Sequence, residues 1–291
     1  MRFVQYRAGQ GVRLGLYAAG RVLDVATAMQ ESKQFQHSFT STLEMLEAGP
    51  EALEFLSTLE PETDGVPLDE SLLTYPVAAR KIVAVGLNYR DHVEETVQAI
   101  PKTPLCFAKF TSSLSGPFDP IRLPEPYATV DWEGELGVVI GRKASRVSET
   151  DAMDHVAGYV VFNDVSERSW QFSDGQWTRG KSADTFSPNG PFLVTREEVP
   201  DPGHLRITTR VNGIVMQDSN TDQLIFKIPE LISYFSKSFT LEPGDIIATG
   251  TPPGVGFSRK PPVFLQDGDL VEVEIEHLGK IANRVQRGYY V

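Results

Sequence analysis

The chain has 291 residues, 41% hydrophobic and 23% charged, a composition that excludes wholesale disorder, collagen and coiled coil. Its 27 basic against 39 acidic residues leave a formal charge of −12, which repels phosphate backbones and anionic lipid, so neither nucleic acid nor a membrane is expected as partner. A single cysteine, Cys106, excludes an intrachain disulfide and Cys-based zinc sites and fits a reducing, cytoplasmic setting.

Met1–Arg7 has no apolar signal core and predicts a strand, as do Val12–Tyr17 and Arg21–Val25, with Gly9, Gly11 and Gly20 marking turns. Two short helices are predicted around Ser41–Leu46 and Glu51–Leu59, separated by Gly49-Pro50. The polar stretch Pro61–Pro67 reads as a linker, so residues 1–75 are expected to form a small N-terminal α/β domain and 76–291 a catalytic domain. Beyond it Lys81–Val85, Leu136–Ile140, Gly158–Phe162, Phe192–Thr195, Leu205–Val211, Asp245–Ala248, Leu270–Glu276 and Lys280–Val285 read as strands. Val271, Val273 and Ile275 alternate with Glu272, Glu274 and Glu276, which places those glutamates toward solvent. Helices are expected at His92–Ala99, at Glu149–His155 behind a Ser148/Asp151 capping pair, and at Ile228–Phe235. No run approaches the ~18 apolar residues of a membrane span. The fold class is α+β and β-rich.

Chemistry concentrates in a few places. Glu133 and Glu135, two apart at the head of an apolar strand, project from one face, and Asp164 ends the next predicted strand. Three carboxylates on neighbouring strand ends suit a hard divalent ion such as Mg²⁺ or Mn²⁺; an exposed strand face would give the same E-x-E spacing. His92 and Glu95 share a helix face, where the carboxylate on one ring nitrogen leaves the other basic; a solvated helix face is the alternative. Lys181, in a turn after Gly180, can neutralise a substrate carboxylate or an enolate, or simply sit on the surface. Arg168 and Gln171, four and seven residues after Asp164, would share its face on a helix and read a carboxylate, or merely pack and cap. Thr249–Gly256 is glycine-rich but lacks the Gly-Lys-Ser/Thr ending of a nucleotide loop, leaving Thr251 and backbone N–H groups for a small anion. His37, His155, His204 and His277 have no carboxylate or cysteine company and read as structural or surface residues.

The order of these motifs is more specific than any one of them. Gly86-Leu87-Asn88-Tyr89-x-x-His92-x-x-Glu95, Phe107-x-Lys109-x-x-Ser112-Ser113, Asp131-x-Glu133-x-Glu135, Asn163-Asp164 with Arg168 and Gln171, Gly180-Lys181, Val211-Asn212-Gly213 and Gly244-Asp245 through Gly256 succeed one another over residues 81 to about 285. That succession resembles the fumarylacetoacetate hydrolase family, in particular its two-domain, domain-containing-protein subgroup. The resemblance implies a mixed β roll with flanking helices, a homodimer, and Mg²⁺ or Mn²⁺ held by Glu133, Glu135 and Asp164. It implies a water-activating dyad, His92 with Glu95, on a mobile lid, and Lys181 beside a developing enolate. It also implies substrate contacts from Arg168, Gln171 and Thr251, with Gly250 and Lys109. Implied substrates are short α-keto or β-diketo acids. Hydrolysis of acylpyruvate-type C–C bonds is the first expectation, oxaloacetate tautomerisation or decarboxylation the second, and a non-catalytic metal- or ligand-binding protein the third.

Overall fold

Strands Gly134–Ile140 and Val156–Asn163 carry apolar residues at nearly every position, so both of their faces require cover. In the computed structural model, which describes residues 1–32, 38–95, 99–125, 129–199 and 201–288, they pair antiparallel from Gly134↔Asn163 to Val139↔Gly158. Successive residues point to opposite sides. Leu136, Val138, Tyr159 and Val161 enter one buried cluster, under the helix Ile228–Ser238. That helix buries Ile228, Leu231, Ile232 and Phe235, the i, i+3, i+4, i+7 stripe of an amphipathic helix. Val139, Val160 and Phe162 enter a second cluster with Phe3, Leu14, Leu16, Met29, Met45 and Leu56 from the first 75 residues.

Among the described residues the main sheet has twelve strands. From one edge its order is Val66–Pro67, Arg21–Asp24, Gly11–Ala18, Arg2–Ala8, Ser187–Thr195, Val156–Asn163, Gly134–Ile140, Ile246–Ala248, Ile82–Gly86 and Leu105–Lys109, with two short strands branching off. The N-terminal strands join it through Arg2↔Val194 and Phe3↔Leu193. A second sheet of five strands runs Ile214–Asn220, Arg206–Val211, Leu270–Ile275, Gly279–Arg287, Ile121–Leu123. Trp132, Phe186, Val271 and Val285 belong to a third buried cluster. The fold is mixed, strand-rich α+β, as the sequence predicts. No helix among the described residues is long and apolar enough to cross a membrane.

Most predicted strands form within two or three residues of their expected ends; Glu274 and Glu276 are exposed as expected, while Glu272 is half-buried against Lys280. The differences have local causes. The expected linker Pro61–Pro67 is structured, with a short helix Pro61–Asp64 and the edge strand Val66–Pro67 on Arg21–Asp24. Ser148 and Asp151 do pair, the Asp151 N–H donating to Ser148 Oγ at 3.3 Å, but only a 3₁₀ turn follows, Ala152–His155. A longer helix is blocked because the His155 carbonyl accepts from Gly141 N–H at 2.7 Å, which feeds the chain into the sheet. The helix carrying His92 is Arg90–Glu95; residues 96–98 lie outside those described, as does His37.

Gly158 shows how tightly the central strands approach. A Cβ there would lie 2.0 Å from the Val194 carbonyl oxygen and 2.9 Å from Thr195 Cα, both backbone atoms of the neighbouring strand. Gly158→Ala is expected to cost about 1–3 kcal/mol by overpacking, seen as a lower urea midpoint; an unchanged midpoint would show that the strands can part there.

Candidate active site

Glu133 and Glu135 flank the first residue of the central strand Gly134–Ile140, and Asp164 follows the last residue of its neighbour. The Asp164 N–H donates to Glu133 O at 2.8 Å, extending the ladder by one bond and bringing the three carboxylates together. Their ligand oxygens all lie within 4.8 Å of one another, and all three residues are buried.

Three buried cations face them. Lys181 Nζ donates to Glu133 Oε2 at 2.6 Å and to Asp164 Oδ2 at 2.8 Å. Lys109 Nζ donates to Asp164 Oδ1 at 2.5 Å and to the main-chain oxygens of Val165 and Lys181. Arg168 Nη1 lies 2.6 Å from Glu133 Oε1, while its Nε and Nη2 donate to Asp131 Oδ2 at 2.9 and 2.7 Å. Four buried carboxylates, counting Asp131, therefore meet three cations. Burial acts to raise Glu133, yet Lys181 and Arg168 hold it down at about 2. Burial also acts to lower Lys181, and Asp164 and Glu133 outweigh it and raise it. Burial lowers Lys109. Glu135 is the carboxylate without a cation: it accepts Gly250 N–H at 2.9 Å, and burial, then Asp164 and Glu133, push it well above the usual carboxylate range.

A hard divalent ion fits this donor set. The ligands are all oxygens, they converge, and the buried cluster is one positive charge short of balance. Once an ion is present the cluster carries one net positive charge, which suits an anionic substrate on a chain of −12.

His92 is buried on the helix Arg90–Glu95, and its Nδ1 lies 3.2 Å from Glu95 Oε2. A carboxylate against Nδ1 keeps the ring proton there and makes Nε2 the basic nitrogen. Burial acts to raise Glu95, and His92 and the Gly254 N–H outweigh it and lower it. That N–H donates to Oε1 at 3.0 Å and Oε2 at 3.2 Å. The helix is tied at its other end by Ser219 Oγ, which donates to Asp91 Oδ2 at 2.6 Å. His92, Glu133, Glu135, Arg168, Lys181 and Thr251 line one cavity with Gln171, and Phe107, Trp177, Phe172 and Phe257 give it an aromatic end. Phe107 and Trp177 meet edge to face at 5.3 Å, Phe172 and Phe257 at 5.7 Å.

The structure thus brings seven of the eleven expected site residues to the lining of one cavity, sets Glu95 and Asp164 against lining residues as partners of His92 and Lys181, and places two behind it. Lys109 is fully buried against Asp164, away from the cavity lining, and Gly250 acts on Glu135 through its N–H. Arg168 and Gln171 lie on a helix, Arg168–Ser173, but Asp164 does not: Ser166–Glu167 first pairs with Val130–Asp131, and Glu167 caps the helix. Lys181 ends the short helix Thr178–Lys181 rather than sitting in a turn. His155 is half-buried, and His204 and His277 are exposed. Sequence reasoning left Asp131 and Gln217 without a role. Asp131 shares the every-second-residue frame of Glu133 and Glu135, and the Asn212-Gly213 turn signals a second hairpin strand that would carry Gln217.

The charge pattern gives a stability test in chelator. Glu133→Gln leaves Lys181 and Arg168 short of a buried partner and should cost about 3–5 kcal/mol, whereas Glu135→Gln removes an uncompensated acid and should cost little or stabilise. The pH dependence has opposite signs. Glu133, lowered to about 2, contributes stability above the unfolded value of 4.5 that is lost as pH falls toward 2. Glu135, raised, makes the metal-free protein less stable as pH rises through its folded pKa, and Glu135→Gln should abolish that slope. Equal destabilisation by the two variants, followed by thermal unfolding across pH, would contradict this charge assignment.

Residues 81–286 match the family described as fumarylacetoacetate (FAA) hydrolase C-terminal. The chain is 47% identical over 294 residues to oxaloacetate tautomerase FAHD2A, mitochondrial, of Bos taurus, covering 98% of this chain and 91% of that one. Among solved structures it resembles the fumarylacetoacetate hydrolase of psychrophilic Exiguobacterium antarcticum, with a TM-score of 0.86 and 36% identity over 99% of this chain and 100% of the other. It also resembles maleylpyruvate hydrolase of Sphingobium sp. SYK-6, with a TM-score of 0.80 and 32% identity over 99% and 100% of the two chains. Fold, motif order and full-length identity agree, and the chain is an enzyme that belongs to the fumarylacetoacetate hydrolase family.

Proposed function

We propose that the enzyme interconverts the keto and enol forms of a short 2-oxo acid of the oxaloacetate type. The observation that carries this reading is the His92–Glu95 pair, held by Gly254, with His92 lining a cavity that Glu133, Glu135 and Lys181 also line and Asp164 converging on those two carboxylates. Enolisation breaks the C3–H bond, turns its electron pair into the C2–C3 double bond, and puts a proton on the 2-oxo oxygen. His92 Nε2 is the base for C3–H, and Glu95 stabilises the imidazolium that results. Lys181, whose Nζ donates to Glu133 and Asp164, retains a third proton with which to favour negative charge on the substrate oxygen. Arg168 donates its Nη1 to Gln171 Oε1 at 2.9 Å, which turns the Gln171 NH₂ outward as a donor for the substrate carboxylate. A divalent ion held by Glu133, Glu135 and Asp164, Mg²⁺ or Mn²⁺ by donor hardness, supplies Lewis-acid stabilisation of that same oxygen when bound.

The name of the Bos taurus relative, an oxaloacetate tautomerase, supports tautomerisation, and its near-full-length identity puts this reading ahead of C–C hydrolysis. Hydrolysis of an acylpyruvate remains the second reading, favoured by the maleylpyruvate hydrolase likeness; there His92 would take its proton from water instead. Decarboxylation of oxaloacetate needs neither proton transfer to His92 nor attacking water.

Three rates on one His92→Ala preparation separate these readings. Oxaloacetate enolisation should fall about 10²–10⁴-fold, decarboxylation should persist, and acetylpyruvate cleavage should be slow even in the wild type. Unchanged enolisation would remove His92 from the mechanism, and rapid His92-dependent cleavage of acetylpyruvate would make hydrolysis the main reaction. Chelation should abolish enolisation and added Mg²⁺ or Mn²⁺ restore it; full activity in a metal-free sample would defeat the metal assignment.

We also propose a homodimer. Leu105–Lys109 is an edge strand of the main sheet, and Leu105, Phe110 and nearby Ile100 are exposed. Light scattering should give twice the chain mass; a monomer would reject it. The division into units over 1–75 and 76–291 belongs to the same proposal, supported by the family match starting at residue 81. So does a cytoplasmic location, which rests on Cys106 alone, while the Bos taurus relative's name gives the mitochondrion.

A further inference from the structure

Thr251 is expected, from the family resemblance, to orient a substrate carboxylate, which a hydroxyl does by donating a hydrogen bond. Its own partners assign it the opposite role. The strand Ile246–Ala248 pairs with the central strand through Gly137↔Ala248, and beyond Ala248 threonine side chains take over the bonding. Thr249 gives both its N–H and its Oγ1 proton to Leu136 O, at 3.1 and 2.9 Å. Thr251 Oγ1 donates to Gly134 O at 3.0 Å. The hydroxyl proton is thus committed to a main-chain carbonyl, and turning it away would leave that buried oxygen short of a donor.

Gln217, buried on the strand Ile214–Asn220, closes the alternative. Gly134 N–H donates to Gln217 Oε1 at 3.0 Å, which fixes the amide orientation and leaves Nε2 on the other side. Nε2 then donates to Thr251 Oγ1 and to Pro252 O, each at 2.8 Å. A hydroxyl has one proton and two lone pairs. With the proton on Gly134 O and one lone pair on Gln217, only a lone pair is left for the cavity.

We infer that Thr251, set by Gln217, is a hydrogen-bond acceptor that selects a substrate bearing an O–H, the enol form of the 2-oxo acid, and that Gln217 is the positioning residue for this selection. Carboxylates have donors elsewhere in the cavity, in Lys181, Arg168 and the Gln171 NH₂. An enol O–H finds no partner in these donors and needs an acceptor, and Thr251 offers a neutral one beside His92 and the cavity carboxylates. The inference rests on the reading of the site as a 2-oxo acid site and adds which tautomer it is shaped to hold.

Calorimetric binding of glycolate and oxalate to the Mg²⁺-loaded protein tests it. Glycolate carries a carboxylate and an O–H; oxalate carries two carboxylates and no proton. Thr251→Val should weaken glycolate by about two- to tenfold, the worth of one neutral hydrogen bond, and leave oxalate unchanged or tighter. Thr251→Ser, which keeps the hydroxyl, should bind both as the wild type does. Gln217→Met frees the hydroxyl to rotate and should shift the preference toward oxalate, a change that mere loosening of the fold would not produce. Loss of oxalate in Thr251→Val equal to or greater than the loss of glycolate would overturn the inference while leaving the site reading intact. A wild-type protein that binds neither probe would overturn the site reading, and the inference with it.

Discussion

The feature on which the rest depends is a buried cluster of four carboxylates and three cations at the open ends of two neighbouring strands. Charges taken out of water are tolerated only when paired, and removal of one partner strands the other. Asp131, Glu133, Glu135 and Asp164 therefore dictate where Lys109, Lys181 and Arg168 must be, and those three draw in the edge strand Leu105–Lys109 and the helices Thr178–Lys181 and Arg168–Ser173. The long sheet holds Glu133, Glu135 and Asp164 in register, and the cations tie that edge strand and those two helices to them. The imbalance of one charge falls on Glu135, where a backbone N–H replaces a cation.

A single loop links that cluster to the His92–Glu95 pair. Gly250 N–H meets Glu135, Thr251 meets Gly134 O, Gly254 N–H meets Glu95, and the N–H groups of Gly256 and Phe257 meet Asp131 at 2.7 and 3.1 Å. Asp131 in turn fixes Arg168, so the position of the Glu95 carboxylate and that of the guanidinium are set by neighbouring peptide units. Gly254 has φ of 101°, and a Cβ there would lie 1.9 Å from Met216 O, so only glycine can present its N–H to Glu95 at this point. The loop thus braces Glu135, Glu95 and Asp131 together, with these N–H groups given to the protein's own carboxylates.

Much of this was legible in the sequence because it is local or periodic. Glu133 and Glu135 alternate at the head of a strand whose apolar run is unmistakable, and Asp164 ends the next such run; register then does the rest. His92 and Glu95 are three apart on one helical turn. What was not legible depends on contacts between distant and short elements. The Arg168–Asp131 pair joins residues 37 apart through a two-strand bridge, and the six-residue helix that follows is too short to show a 3.6 period. Lys109 looked like a substrate contact because its motif lies close to the others in order, whereas only packing shows it behind Asp164. Gln217 reaches Thr251 across 34 residues and between two sheets, and no spacing rule encodes that.

The buried cluster lacks one positive charge, and the divalent ion proposed beside Glu135 would supply it. Titration of Mn²⁺ into chelator-treated protein, in two buffers of different ionisation enthalpy, measures ion stoichiometry and proton release together. One ion per chain is expected, with a proton released on binding at mildly acid pH and loss of that release in Glu135→Gln. Binding with no proton release at any pH, or the same release in Glu135→Gln, would contradict it.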